Sequence, residues 1–153
     1  MRSLKILILE PNPFQLMALH QMLNAIGIYD VLTAPSLGSA KRSLERRGAV
    51  DITLCNPRLQ NGDGLALIRH LADRKGARAM ILLGTVAPSL LDELETLLGE
   101  HGITLLGRLH TPVSAVLMRS LLDTYMATPG IPSTLEPHGY FSVIFAMHAP
   151  IGR

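Results

Sequence analysis

Polar side chains stand at the ends of apolar runs in this sequence, which is where an open α/β sheet carries its chemistry. Glu10 follows "LKILIL", Asn56 follows "DITLC", Thr85 follows "MILLG", and Thr111 stands two residues beyond "ITLLGRL". A carboxylate at such a position can attack an electrophile or hold a hard cation, whereas an amide oxygen is a poor nucleophile and a weaker ligand. Of the four, only Glu10 brings a carboxylate. Nor does Asn56 turn into Asp by spontaneous deamidation, because that route needs the next backbone N–H and Pro57 has none.

Other chemistries lack their residues. There is no Walker loop, no GxGxxG after the first apolar run, and no Cys/His cluster with metal-ligand spacing. The six His are scattered and suit surface or capping positions. No catalytic residue, metal site or cofactor is therefore expected. Cys55 is the single cysteine, which excludes an intramolecular disulfide and fits a reducing compartment. Its simplest role is an inert core thiol rather than a redox sensor.

The elements that must position these residues follow from periodicity. Runs that are mainly apolar, Leu4 to Leu9, Tyr29 to Thr33, Ile52 to Cys55, Met80 to Leu83 and Ile103 to Leu109, suit strands covered on both faces. Between them lie five helical stretches. Asn12 and Pro13 open the first, whose Leu16, Leu19, Leu23 and Ile26 repeat at helical spacing before Gly27 ends it. Ser36 opens the second, with Lys41, Arg42, Arg46 and Arg47 as a solvated basic face. The third runs from about Asp63 to Arg74 with Leu67, Ile68 and Leu71 inward. Pro88 opens the fourth, apolar at Leu90, Leu91, Leu94, Leu97 and Leu98. Thr111, as N-cap, and Pro112 open the fifth, with Val116, Leu117, Leu121 and Tyr125 inward. This alternation predicts an α/β fold with a doubly wound, five-stranded parallel sheet.

The chain has 153 residues, 48% apolar and 17% charged, enough for one domain with a substantial core. Its net charge of +2 is too small to point to nucleic acid or an anionic membrane surface. The six-residue apolar run near the N-terminus is too short for a signal peptide or a membrane span, so a cytoplasmic protein is expected. Residues 1–126 form the expected domain. Residues 127–153 are a Pro- and Gly-rich linker and the apolar segment "YFSVIFAM", too apolar for a free terminus. Phe141 and Phe145 are expected to be buried in a groove on the same domain or, preferably, in a partner subunit.

Taken in order, these landmarks resemble the CheY-like receiver domain of two-component response regulators over about residues 4–126. In that family the first strand ends in an acidic pair that holds Mg²⁺, and "LILEPNPFQ" stands there. The third strand ends in the phosphoacceptor Asp of a D-L-x-M-P-x-M-D-G-like motif, and "NPRLQNGDG" stands there, with Asp63 and Gly64 keeping the motif's end. The fourth strand ends in Thr or Ser, as at Thr85, and the fifth in Lys-Pro, here Thr111-Pro112. The wording "NPFQ", "LIRHLA" and "HGITLLGRL" is most similar to receivers joined to cyclic-di-GMP phosphodiesterase domains. The resemblance implies a flavodoxin-like strand order of 2-1-3-4-5.

The departures are as informative as the matches. Asn56 replaces the phosphoacceptor, Pro11 removes one of the acidic pair and leaves Glu10, and Thr111 replaces the Lys. The family pairs its Thr with an aromatic side chain on the fifth strand, and Leu109 stands there, leaving Thr85 most simply a strand-end hydroxyl. One engineered exchange would not alter all of these positions. The resemblance therefore implies a degenerate receiver, not an enzyme, that acts by protein–protein contact without phosphorylation. It implies a contact face on the fourth helix, fifth strand and fifth helix, where Asp92, Glu93 and Glu95 meet Arg108 and Arg119 and suit a homodimer. Two alternatives stay open: the regulatory receiver portion of a cyclic-di-GMP phosphodiesterase, or a phosphoacceptor receiver using a non-standard site.

Overall fold

The apolar runs form strands and the amphipathic stretches form helices, in strict alternation. The order is β1 Lys5–Leu9, α1 Pro13–Ala25, β2 Asp30–Ala34, α2 Leu37–Arg47, β3 Val50–Cys55, α3 Gly64–Arg74, β4 Ala77–Leu83, α4 Pro88–Glu100, β5 Thr104–Leu109 and α5 Ala115–Ala127. The structure, a computed structural model, describes residues 3–58 and 64–127. Asp63, Phe141, Phe145 and the rest of residues 128–153 lie outside the described residues, and so does the expected burial of the C-terminal segment.

The strands form one parallel sheet in the order β2-β1-β3-β4-β5. A parallel sheet must be covered on both faces because its crossover helices return over them. Here α2, α3 and α4 cover one face, packing Leu44, Leu67, Leu71, Leu94 and Leu98 against Leu7, Leu9 and Met80. Helices α1 and α5 cover the other, packing Leu19, Leu23, Met118 and Leu121 against Ile6, Ile8, Ile52 and Leu54. The one irregularity described in the ladders lies between β4 and β5, where Met80 pairs with Leu105 but Ile81 with Gly107.

Caps explain several boundaries. The Asn12 side chain accepts from the backbone N–H groups of Phe14 and Gln15, and Gly27 takes the positive φ of 93° that ends α1. Ser36 caps α2 in a reciprocal pair with Ser39.

The start of α5 differs from the sequence expectation. Thr111 and Pro112 lie in an exposed turn joined by a cis peptide bond, and Thr111 is not the N-cap. Ser114 takes that role, its Oγ accepting from the Leu117 N–H at 3.2 Å. The later start moves the buried stripe to Met118, Leu121, Leu122 and Tyr125, spaced i, i+3, i+4, i+7, and leaves Val116 81% exposed.

Candidate functional site

Parallel pairing continues one residue past the strands and sets the site. The Glu10 N–H donates to the Ala34 carbonyl at 3.0 Å, and the Asn56 N–H donates to the Leu9 carbonyl at 3.0 Å. Glu10 and Asn56 are thereby fixed side by side at the carboxyl edge of β1 and β3.

Their side chains satisfy one another. Asn56 Nδ2 lies 3.2 Å from Glu10 Oε1 and 3.3 Å from Oε2, donating to the carboxylate. The Asn12 N–H, at the N-terminus of α1, donates to Glu10 Oε2 at 3.0 Å. Glu10 is only 4% exposed, and a buried carboxylate is tolerable only with such donors around it. The remaining polar atom is engaged too, because Asn56 Oδ1 accepts from the Arg58 N–H at 2.9 Å in an Asx turn. Sequence reasoning missed Asn12 and Arg58 as partners, although Asn-Pro-x is a recognisable turn signal. Cys55, fully buried beside this pair, has its thiol pushed up to about 12 by burial and then by the Glu10 charge.

The other expected residues are not drawn into this pair. Pro11 is half-buried and offers no side-chain ligand, while Thr85 and Thr111 are exposed. Leu109 is fully buried under α1 and α5, so it is a core residue. On the second candidate face, Glu95 has its carboxyl pushed up by burial and by Asp92, with Arg108 opposing. Glu93 instead lines a groove between α3 and α4 with Asp92, Arg69 and Leu97, and Arg119 is exposed on α5.

A divalent cation at this edge, which receiver proteins use, does not fit the donor set. Mg²⁺ keeps an octahedron of oxygen ligands and needs carboxylates free to turn towards it. Both Glu10 oxygens and Asn56 Oδ1 already accept hydrogen bonds within the protein. Among the described residues, no group of three or more His, Cys, Asp or Glu side chains is placed to hold a metal ion.

Comparison with solved structures settles the fold. A CheY-like response regulator receiver domain protein from Methanospirillum hungatei superimposes with a TM-score of 0.66 at 19% identity, covering 86% of this chain and all of that one. The signal receiver domain of an HD domain-containing protein from Pseudomonas fluorescens gives 0.65 at 23% identity, covering 82% of this chain and 96% of that one. The fold is that of a response regulator receiver domain. In sequence, the chain is 32% identical over 127 residues to the cyclic di-GMP phosphodiesterase RocR of Pseudomonas aeruginosa. The match covers 83% of this chain and 32% of RocR, so this receiver-like chain spans about a third of that relative. No protein-family model matches the chain. No described helix is long and apolar enough to cross a membrane.

Proposed function

We propose that this chain is a signalling receiver whose residue 56 takes no phosphoryl group and whose output is contact with a protein partner. The observation that carries this reading is the closed Glu10–Asn56 pair. Phosphoryl transfer to a receiver needs a carboxylate nucleophile, a cation beside it, and a positive group for the developing charge. At this edge the nucleophile is an amide, the remaining carboxylate is occupied, and Thr111 stands where the resemblance puts Lys. The contact surface is then the α4–β5–α5 face with Asp92, Glu95 and Arg108, in a homodimer or with another protein of the pathway.

A second reading has its own support. Identity to RocR makes the chain a candidate regulatory portion of a cyclic-di-GMP phosphodiesterase, its control exerted through the same contacts.

Acetyl phosphate with and without Mg²⁺, followed by intact-mass measurement, tests the central claim. The expected result is no added mass and, by titration calorimetry, no saturable sub-millimolar Mg²⁺ binding. A stable phosphoryl adduct that disappears in Asn56→Ala overturns it, and an adduct retained in that variant points to a non-standard acceptor.

A further inference from the structure

Helix α1 carries no charged side chain, yet it is only partly buried. Its thirteen residues, "PFQLMALHQMLNA", include no Asp, Glu, Lys or Arg. Leu19 and Leu23 fill the core, yet Phe14 is 84% and Met17 61% exposed. Ala18, Gln21 and Ala25 extend the same outward line at helical spacing, all exposed. Gln21 is the one polar side chain on that line, and a solvated helix face ordinarily carries charged and polar residues rather than Phe and Met.

The exposure is confined to one layer. Among the described residues the large exposed hydrophobics are Phe14, Met17, Tyr29 and Val116, which lie on α1, just after it, or on α5. The α2–α3–α4 layer turns charged side chains outward instead, as at Arg42, Arg46, Asp73 and Glu93. Phe14 and Met17, one turn apart on the same outward line, are large apolar side chains left to solvent, and apolar surface of this kind marks an interaction site.

One segment of the chain has the matching chemistry. Residues 140–147, "YFSVIFAM", carry no charge and hold two of the three Phe; the third is Phe14. Helix α5 delivers the chain to the right place. Tyr125 Oη donates to Asp51 Oδ1 at 2.9 Å, and Asp51 Oδ2 accepts from the Lys5 N–H at 3.0 Å. Those contacts put the end of α5 at the edge where β1 and β3 begin. Helix α1 ends at the same edge, since Gly27 turns the chain into β2, whose Asp30 pairs with Lys5. The twelve residues from 128 to 139 reach up to about 40 Å, and α1 is about 20 Å long.

We propose that residues 140–147 lie along the outer face of α1 in the same chain, against Phe14, Met17 and Ala18, and complete the burial of that helix. This placement is independent of how residue 56 behaves.

Thiol labelling of the full chain tests it. Ala18→Cys puts a small probe on the covered face, Ser89→Cys puts one on the exposed start of α4, and native Cys55 is too buried to compete. The expected result is labelling of Ala18→Cys slowed about tenfold or more relative to Ser89→Cys, the scale set by local opening. Adding Phe141→Ser and Phe145→Ser should remove that protection, and protein concentration should not change it. Equal rates at the two probes overturn the proposal, as does protection that survives the Phe substitutions. Protection that grows with protein concentration assigns the face to a second copy and overturns it too. Reactivity at Cys55 reports any unfolded variant, in which case Gln21→Cys replaces Ala18→Cys as the probe.

Discussion

Asn56 closes the carboxyl edge with both halves of its amide, Nδ2 donating hydrogen bonds to the Glu10 carboxylate and Oδ1 accepting one from the Arg58 backbone N–H. Exchanging it for Asp keeps the turn but sets a second carboxylate where Nδ2 now lies, 3.2 Å from Glu10 Oε1. Two carboxylates that close push one carboxyl pKa up. An acid whose folded pKa is raised loses stability as pH climbs through its unfolded pKa. Asn56→Asp should therefore be less stable than wild type by about 1–3 kcal/mol at neutral pH, with the gap narrowing near pH 4 in urea melts. Equal stability at both pH values would show that the amide contact contributes nothing. Cys55 obeys the same sign. Its thiol is raised to about 12, by burial first and the Glu10 charge second, above an unfolded value near ~8.5. Native protein should resist alkylation at pH 8 and label fully in denaturant. Above about pH 9 its stability should fall more steeply than that of Cys55→Ala, because only wild type then suppresses a thiol ionisation.

Two elements carry tests of their own. Ser114 caps α5, so Ser114→Ala should cost about 1 kcal/mol, while Thr111→Ala, in the exposed turn, should stay within about 0.5 kcal/mol. Thr53 sits fully buried in β3 with no described hydrogen-bond partner for its Oγ1. Thr53→Val removes that cost at nearly constant shape and should stabilise the fold by about 1 kcal/mol, read from the urea midpoint. The strands were legible in sequence because each run is mainly apolar, with Lys5, Asp30 and Arg108 as isolated exceptions, and the landmarks at their ends gave the strand order. The misplaced start of α5 has a local cause. Asn12-Pro13 and Thr111-Pro112 look alike as cap and first-turn pairs, yet only Asn12 accepts from the helix that follows. Which side chains stand at the carboxyl edge was likewise readable from the run ends. The bonds among Glu10, Asn12, Asn56 and Arg58 were not, since they depend on ladder register and on rotamers chosen once the edge is assembled.

At the scale of the molecule, the sheet separates two kinds of surface: a charged layer over α2, α3 and α4, and one over α1 with no Asp, Glu, Lys or Arg. Where α4 meets β5, Glu95 lies within reach of both Asp92 and Arg108, while Asp92 also borders, with Glu93, the groove that opens towards α3. A patch with acidic groups beside a basic one is self-complementary, because a two-fold axis can set each Arg108 against the partner's carboxylates. Part of Glu95 is withdrawn from water already in the single chain, which raises its carboxyl and lowers the further desolvation needed on pairing. Arg108→Glu places like charges across the axis and should convert a homodimer to monomer in sedimentation velocity. Wild-type association should weaken between low salt and about 0.5 M, as surface charges are screened over a few ångströms. Glu93→Gln, on the groove side, should leave the sedimentation profile unchanged. If Arg108→Glu sediments as wild type at every salt concentration, the α4–β5–α5 face is not where two copies meet, and partner binding must be sought on another surface.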